Sequence, residues 1–464
     1  MRIAICASEV VPFAKTGGLA DVAGALPLAL EEKGAEAIVI TPYYRQVQAQ
    51  AEKLGVKKLK EGVFCATAGR AVKVYFLEND GYFNRDSLYG YKNGDYPDNL
   101  QRFSCYCRGA LQLLKEIKFK PEIIHVHDWQ ASLIPVYLKT VYAQDAFFKR
   151  TRSVLTIHNI GYQGLFPKEQ FPQLGLDWKF FGIEGLEFYD RVNILKGGME
   201  FSDLINTVSP TYSREIQTKE FGFGLEGVLQ KRRPDLFGII NGIDYGIWSP
   251  QKDKFIAANF SAKDLNGKAR CKKDLQAACG LPQEKDVPLV GIVSRLAEQK
   301  GFDILAEGID TVCQAGLQLV ILGTGDMKYH LLLQEMVKKY PKVISLNLKF
   351  DDPLAHRIYS GADIFLMPSK YEPCCLGQLI SLAYGTIPLV FKTGGLADTV
   401  SKDNGFVFAR YSSKELVETL KQACAAFKKK AQWSTLVKRA MAGDFSWKNS
   451  AQEYLKLYAK AAKK

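Results

Sequence analysis

Lys15-Thr16-Gly17-Gly18-Leu19-Ala20-Asp21 follows a strand-like apolar run at residues 3–7 and leads into helix-spaced apolar residues over 19–30. The same seven letters return as Lys392-Thr393-Gly394-Gly395-Leu396-Ala397-Asp398. A strand that turns through glycines into a helix opens a β/α unit. Glycine lets the backbone pass close to a ligand. The first helical N–H groups attract phosphate, and Lys15 adds a point charge. Phosphate or sugar binding at Lys15, Gly17 and Gly18 is therefore expected of the first copy. The second copy, with Thr393, Gly394 and Gly395, precedes no equally clear apolar helix, so a ligand role and a plain turn stand level there.

Outward from these turns, short apolar strands alternate with helical patterns. The first series predicts strands at 3–7, 37–41, 72–77, 123–127, 154–158, 204–208 and 237–240, with helices such as 99–117 and 131–142. A polar, weakly periodic stretch occupies 248–288. A second series predicts strands at 289–294, 318–322, 343–348, 364–368, 387–391 and 405–408, with helices at 302–315, 327–339, 353–361, 376–384 and 414–427. Two β/α series imply an α/β protein of two doubly wound domains. Ligands bind such sheets beyond the carboxyl ends of their strands. The cleft between the domains is the expected active site.

Composition narrows the class. A chain of 464 residues exceeds what one core usually serves. No run of eighteen apolar residues occurs and the N-terminus lacks a signal-peptide layout, so no membrane span and a cytoplasmic location are expected. The ten cysteines match no zinc spacing and suit reduced thiols. The net charge of +13 lies largely on helix faces and on the tail 456–464. Without a recognisable module it argues for a solvated surface rather than for nucleic acid. No Asp-X-Asp pair is present, which removes the simplest divalent-metal arrangement for a nucleotide sugar, and no metal is expected.

Polar residues gather where strands end. His158-Asn159 runs into Gly161-Tyr162-Gln163-Gly164, surroundings that suit a substrate-facing imidazole better than a core one. His125 and His127 share a strand face and read as buried, satisfied histidines. Ser294-Arg295-Leu296-Ala297-Glu298-Gln299-Lys300-Gly301 places two cations at a strand end, where Arg295 offers a planar fork and Lys300 a mobile charge for phosphate. Glu372 in Tyr371-Glu372-Pro373-Cys374 stands before a helix, placed to cap it or to accept from sugar hydroxyls.

These residues together resemble the bacterial glycogen synthases and plant starch synthases, retaining glucosyltransferases of the GT-B fold. The resemblance spans nearly the whole chain. It rests on Lys15 to Leu19, His127-Asp128-Trp129, His158-Asn159 with Tyr162 to Gly164, Val208 to Tyr212, and Asn241 to Asp244 followed by Trp248-Ser249-Pro250. It continues through Ser294 to Gly301, Glu372 to Cys374 and Thr393 to Val400. It implies an acceptor-side domain at 1–245, a nucleotide-sugar domain at 246–445 and a final helix, 446–464, returning to the first.

The implied reaction moves glucose from ADP-glucose to the non-reducing 4-OH of an α-1,4-glucan with retention, by a front-face path and with no cofactor. Lys15 and Gly18 would hold donor phosphates, and Arg295 and Lys300 would stabilise the leaving diphosphate. His158 and Asp21 would meet the transferring glucose, and Glu372 its hydroxyls. Asn241 would lie near the hinge. Gly17, Cys374, Leu376, Thr393, Gly394 and Gly395 complete the implied binding set.

One departure matters. The family's Glu-Pro-Cys-Gly-Leu-Thr-Gln reads Glu372-Pro373-Cys374-Cys375-Leu376-Gly377-Gln378, and Gln130 stands where a histidine is common after His-Asp-Trp. A Cβ at 375 would crowd the donor if glycine is needed there, and Gly377 lacks a hydroxyl. A glucan-binding or priming scaffold with an impaired donor site, or a nucleotide-sugar epimerase of the same fold, are the alternatives.

Overall fold

A computed structural model describes residues 1–91 and 94–464. The chain divides into two compact units: 1–241 with 447–464, and 242–446. The sequence reading had placed those crossings at 245–246 and 445–446.

The first unit is built on a nine-stranded sheet. Its parallel strands lie in the order Leu236–Gly238, Leu204–Thr207, Arg152–Ile157, Ile123–His127, Arg2–Cys6, Glu36–Pro42 and Val72–Leu77. An antiparallel hairpin, Val63–Ala68 and Lys57–Lys60, extends one edge. The sequence reading missed that hairpin. Its outer strand, Lys57-Lys58-Leu59-Lys60, is exposed throughout and shows no buried alternation; lysines there keep an open edge from pairing with another chain. The central strands are buried on both faces, as in sheets covered by helices.

The last helix, Trp447–Ala461, belongs to this first unit and packs on Gly18–Glu32. Burying Trp447, Leu457, Tyr454 and Tyr458 contributes about 2 kcal/mol for each side chain. Both tyrosines keep hydrogen bonds inside: Asn206 Nδ2 donates to Tyr454 Oη (3.1 Å), and Tyr458 Oη lies 2.8 Å from His125 Nδ1.

The second unit has six parallel strands in the order Ile344–Asn347, Gln318–Leu322, Leu289–Val293, Ile364–Met367, Ile387–Phe391 and Phe406–Phe408. Numbered along the chain this is 3-2-1-4-5-6, the doubly wound order of dinucleotide-binding sheets. The parallel strands of the first unit follow the same rule, with a seventh strand added. In each unit the winding reverses beside the first strand. Between Arg2–Cys6 and Ile123–His127, and between Leu289–Val293 and Ile364–Met367, adjacent connections leave in opposite directions and open a crevice.

The stretch expected to be a polar connector holds a helix, Asn266–Ala278. Its apolar period is masked because two lysines point inward. Lys268 Nζ donates to the carbonyls of Ser360 and Tyr384 and to Thr386 Oγ1, and Lys272 Nζ to two carbonyls and Asp363. Burial pulls Lys268 down to about 8. Ahead of this helix, Asp253 is buried and accepts from Tyr384 Oη (2.6 Å), lies 2.6 Å from His356 Nδ1, and accepts from the N–H of Phe255. Burial opposes the charge of Asp253, but these bonds outweigh it and hold the carboxyl below its usual range. Trp248 stacks on His356 at 4.0 Å. Asp253 thus pins the irregular segment that begins the unit. Asp253→Ala is expected to cost about 3 kcal/mol, since it strands the buried polar partners of a carboxylate. An unchanged denaturant midpoint for the second unit would contradict this role.

Candidate active site

The crevice of the first unit is shaped by one buried carboxylate. Glu9 lies just past the strand Arg2–Cys6. It accepts from the backbone N–H of Thr16, from Thr16 Oγ1 (2.6 Å), from the N–H of Gly17 (3.1 Å) and from Tyr89 Oη (2.6 Å). Two of the N–H groups expected to cradle a phosphate are therefore occupied from within. The glycines also differ from expectation. Gly17 is extended, with φ −151°, a conformation open to any residue. A Cβ at Gly17 or Gly18 would meet nothing within 4 Å. Open space, rather than a forced turn, is what these glycines offer a ligand. Lys15 Nζ reaches Asp21 Oδ1 at 2.8 Å, so the expected phosphate cation and the expected glucose contact form an ion pair, half exposed on the lysine side.

Across the switch point, the strand Ile123–His127 ends at Asp128, which is held at φ +55°. Such a backbone is uncommon for a residue other than glycine and clusters at functional sites. The Asp128 carboxylate accepts the N–H of His158 (2.7 Å) and fixes the end of the neighbouring strand. Burial raises Asp128 to about 7, against the pull of the His158 and Asn159 N–H groups. His158 is half-buried, and burial lowers it to about 3, so its ring is neutral at pH 7. Its Nε2 lies 2.9 Å from His127 Nδ1. His125 is satisfied by Thr156 Oγ1 (2.7 Å) and Tyr458, as expected. His127 is not: its Nε2 is buried without a partner. Asn241, the last residue of this unit's first segment, is buried and its Oδ1 is likewise unpartnered.

In the second unit the expected residues meet. Lys300 Nζ donates to Glu372 Oε2 at 2.6 Å, and Ser369 Oγ donates to the same oxygen at 3.0 Å. Burial opposes the charge of Lys300, but the Glu372 carboxylate outweighs it and holds the ammonium above its usual range. Gly301 sits at φ +80°, and a Cβ there would lie 2.1 Å from the carbonyl oxygen of Pro368. Glycine is required for the Lys300 turn to close on the neighbouring strand end. Arg295 stays exposed, with Nη2 3.5 Å from Gln299 Oε1, and its fork is open to an anion.

The second glycine motif works on the same loop. Gly394 has φ +42°, and a Cβ would lie 1.9 Å from the Glu372 carbonyl oxygen. The N–H of Gly395 donates to the carbonyls of Glu372 and Pro373 (3.1 Å each). Gly394 and Gly395, just after the N-cap residue Thr393, thus clamp the loop carrying Glu372, Cys374 and Leu376. The helix they begin, Gly394–Thr399, is short, which explains the missing apolar pattern.

The departures at 375 and 377 are coupled. The N–H of Gly377 donates to Cys375 Sγ (3.4 Å). A Cβ at Gly377 would stand 3.5 Å from that sulfur, 3.3 Å from Tyr359 Oη and 3.2 Å from the Phe365 ring. The thiol of 375 thus adjoins the space a side chain at 377 would take. Burial, and next the Glu372 charge, raise this thiol, so it stays protonated.

Glu9 and Ser369 were not singled out by sequence reasoning, and His127 and Asp128 were read there without a site role. For Glu9 a signal existed: a lone carboxylate between Ala7 and Val10, directly after a buried strand, needs partners.

Two doubly wound sheets in one chain, each with cations or histidines at its switch point, are the build of a GT-B glycosyltransferase. A family model described as the starch synthase catalytic domain matches residues 2–231, and one described as glycosyl transferases group 1 matches 280–439. A glycogen synthase of Geotalea daltonii is 50% identical over 99% of this chain and 98% of its own length. One from Thermotoga petrophila is 46% identical over 100% and 99%. The catalytic domain of starch synthase IV from Arabidopsis thaliana, solved with ADP and acarbose, superposes with a TM-score of 0.89 at 33% identity over 100% of this chain and 99% of that one. Sucrose-phosphate synthase from Thermosynechococcus elongatus shares the fold, with a TM-score of 0.64 at 17% identity over 99% and 98%. The chain belongs to the glycogen and starch synthase family.

The paired departure makes a prediction. Gly377→Thr alone is expected to lose stability and activity, because the added side chain meets Cys375 Sγ, Tyr359 and Phe365. Adding Cys375→Gly should recover about 1 kcal/mol of that loss. A double-mutant cycle that shows strict additivity in denaturant midpoints would dismiss the coupling.

Proposed function

We propose that this protein elongates an α-1,4-glucan, transferring glucose from ADP-glucose to the non-reducing 4-OH with retention of configuration. The full-length similarity to proteins named glycogen synthase supports the activity, and the ADP bound by the Arabidopsis relative supports the donor. The observation that carries the reading is the Lys300–Glu372 pair at the switch point of the second sheet, beside the exposed Arg295.

In this reading Arg295 and Lys300 receive the charge that builds on the leaving diphosphate. Because Glu372 and the glycine clamp hold Lys300 in place, the electrostatic field is set before reaction and little reorganisation follows. Glu372 keeps its second oxygen for a sugar hydroxyl. Lys15 and the open face of Gly17 and Gly18 take the phosphate side in the first unit, with Asp21 and His158 on the transferring glucose and Asn241 completing the set. Cys374, Leu376, Thr393, Gly394 and Gly395 shape the donor loop. No side chain is assigned as a covalent nucleophile. The leaving phosphate deprotonates the acceptor on the same face, and the protein acts by positioning and electrostatics. The charge of the leaving group is assigned to the cations rather than to a metal. A cytoplasmic location is proposed on the ten free cysteines. No helix among the described residues is long and apolar enough to cross a membrane.

Labelled ADP-glucose or UDP-glucose incubated with glycogen tests the reading. Incorporation from ADP-glucose is expected. Glycogen binding without transfer from either donor would favour the scaffold reading that Cys375 and Gly377 motivate. Lys300→Ala and Arg295→Ala should each lower kcat by about a hundredfold, on the order of 3 kcal/mol of transition-state stabilisation, with smaller effects on glycogen binding. Near-normal turnover in both variants would remove the phosphate assignment.

A further inference from the structure

His127 is fully buried, and its Nδ1 meets His158 Nε2 at 2.9 Å. Its other nitrogen, Nε2, is buried with no hydrogen-bond partner. The ring is held in place by His125, whose ring centre lies 4.1 Å away and which is itself tied to Tyr458 and Thr156. The proton in the His127–His158 bond must be assigned from the network. Burial lowers both groups, His158 to about 3 and His127 well below its usual value, so both rings are neutral at pH 7. Each ring then carries one proton.

Two arrangements satisfy the bond. If His158 Nε2–H donates, the single proton of His127 sits on its own Nε2, a buried N–H with nothing to accept it. If His127 Nδ1–H donates, only a bare lone pair is left unpaired at Nε2. Orphaned buried N–H groups are rarer than under-satisfied acceptors. The second arrangement places the proton of His158 on Nδ1, the ring nitrogen the His127 bond leaves free.

We propose that His127 is a positioning residue that fixes His158 as its Nδ1–H tautomer, so that His158 presents a hydrogen-bond donor to a hydroxyl oxygen of the transferring sugar. This rests on the reading of His158 as a sugar contact, but the tautomer itself is measurable without turnover. A neutral histidine side chain in water favours Nε2–H, so the protein environment must reverse that preference.

The chain has five histidines, few enough for long-range proton–nitrogen NMR spectra of the uniformly 15N-labelled protein at neutral pH. His158→Gln identifies the His158 signals. The Nδ1–H pattern is expected in the native protein. It should persist in His127→Asn, whose amide N–H stands close to the place of Nδ1–H, and revert toward Nε2–H in His127→Leu. With ADP-glucose and glycogen, His127→Leu should lose about tenfold in kcat with little change in KM for glycogen, and His127→Asn should recover most of it. A merely structural role would not separate the two variants in this way. An Nε2–H pattern at His158 in the native protein, or an Nδ1–H pattern that survives in His127→Leu, overturns the proposal. Should His127→Leu fail to fold, the native spectrum decides alone. Full activity in His158→Ala would instead defeat the sugar-contact reading, while the spectra still judge the tautomer.

Discussion

A parallel sheet wound outward in both directions from its first strand leaves a gap that no connection covers. Much of the candidate site hangs on that constraint. In the first unit the gap falls between the strands ending at Cys6 and His127, and it exposes the Glu9-to-Gly18 loop on one side and Asp128 on the other. In the second it falls between the strands ending at Val293 and Met367, and it sets Arg295 and Lys300 beside Ser369 and Glu372. Apart from His125 and His127, the strands beside these gaps are packed apolar runs. Topology alone decides which two loops of each unit stand side by side.

Much of this was legible because strand ends and glycine turns are local. The runs ending at Ala7 and Ser294 were readable as buried strands, and the residues after them as candidates, without knowledge of the partner loops. What stayed hidden depended on distant partners. Thr16 completes the surroundings of Glu9 from nearby, but Tyr89 comes from a separate segment of the chain. The helix Asn266–Ala278 was hidden because Lys268 and Lys272 satisfy carbonyls and a carboxylate deep in the unit, which inverts the usual rule that lysine marks the solvent face. Lys57-Lys58-Leu59-Lys60 was hidden for a different reason: an edge strand protected by charge has no buried face to announce it.

The second Lys-Thr-Gly-Gly copy shows how one string of letters serves two physical ends. At Gly17 and Gly18 the missing side chains leave open space. At Gly394 the missing side chain admits a backbone carbonyl that a Cβ would displace. The first copy faces outward and is held by a carboxylate; the second faces inward and holds a carboxylate-bearing loop. Identity of sequence therefore did not carry identity of role, and only the packing distances separate the two.

The two units also share a device that neither motif reveals alone. Each uses an internal carboxylate to arrange a loop built around lysine and glycine. Glu9 takes the backbone N–H groups of Thr16 and Gly17, and Glu372 takes the ammonium of Lys300. A buried carboxylate is costly to desolvate, and each is compensated by several charge-assisted or hydroxyl hydrogen bonds. The arrangement fixes geometry in advance, which is what electrostatic catalysis requires of its donors. It also redistributes roles. With Thr16 and Gly17 already engaged by Glu9, Lys15 is the cation of that loop, and it is paired with Asp21. With Lys300 engaged by Glu372, the unshared cation of the second unit's loop is the exposed Arg295. In the proposed reading the paired lysine sets the position of the charge and the exposed arginine supplies the adjustable grip, a division that suits a compact ammonium on one side and a planar fork on the other.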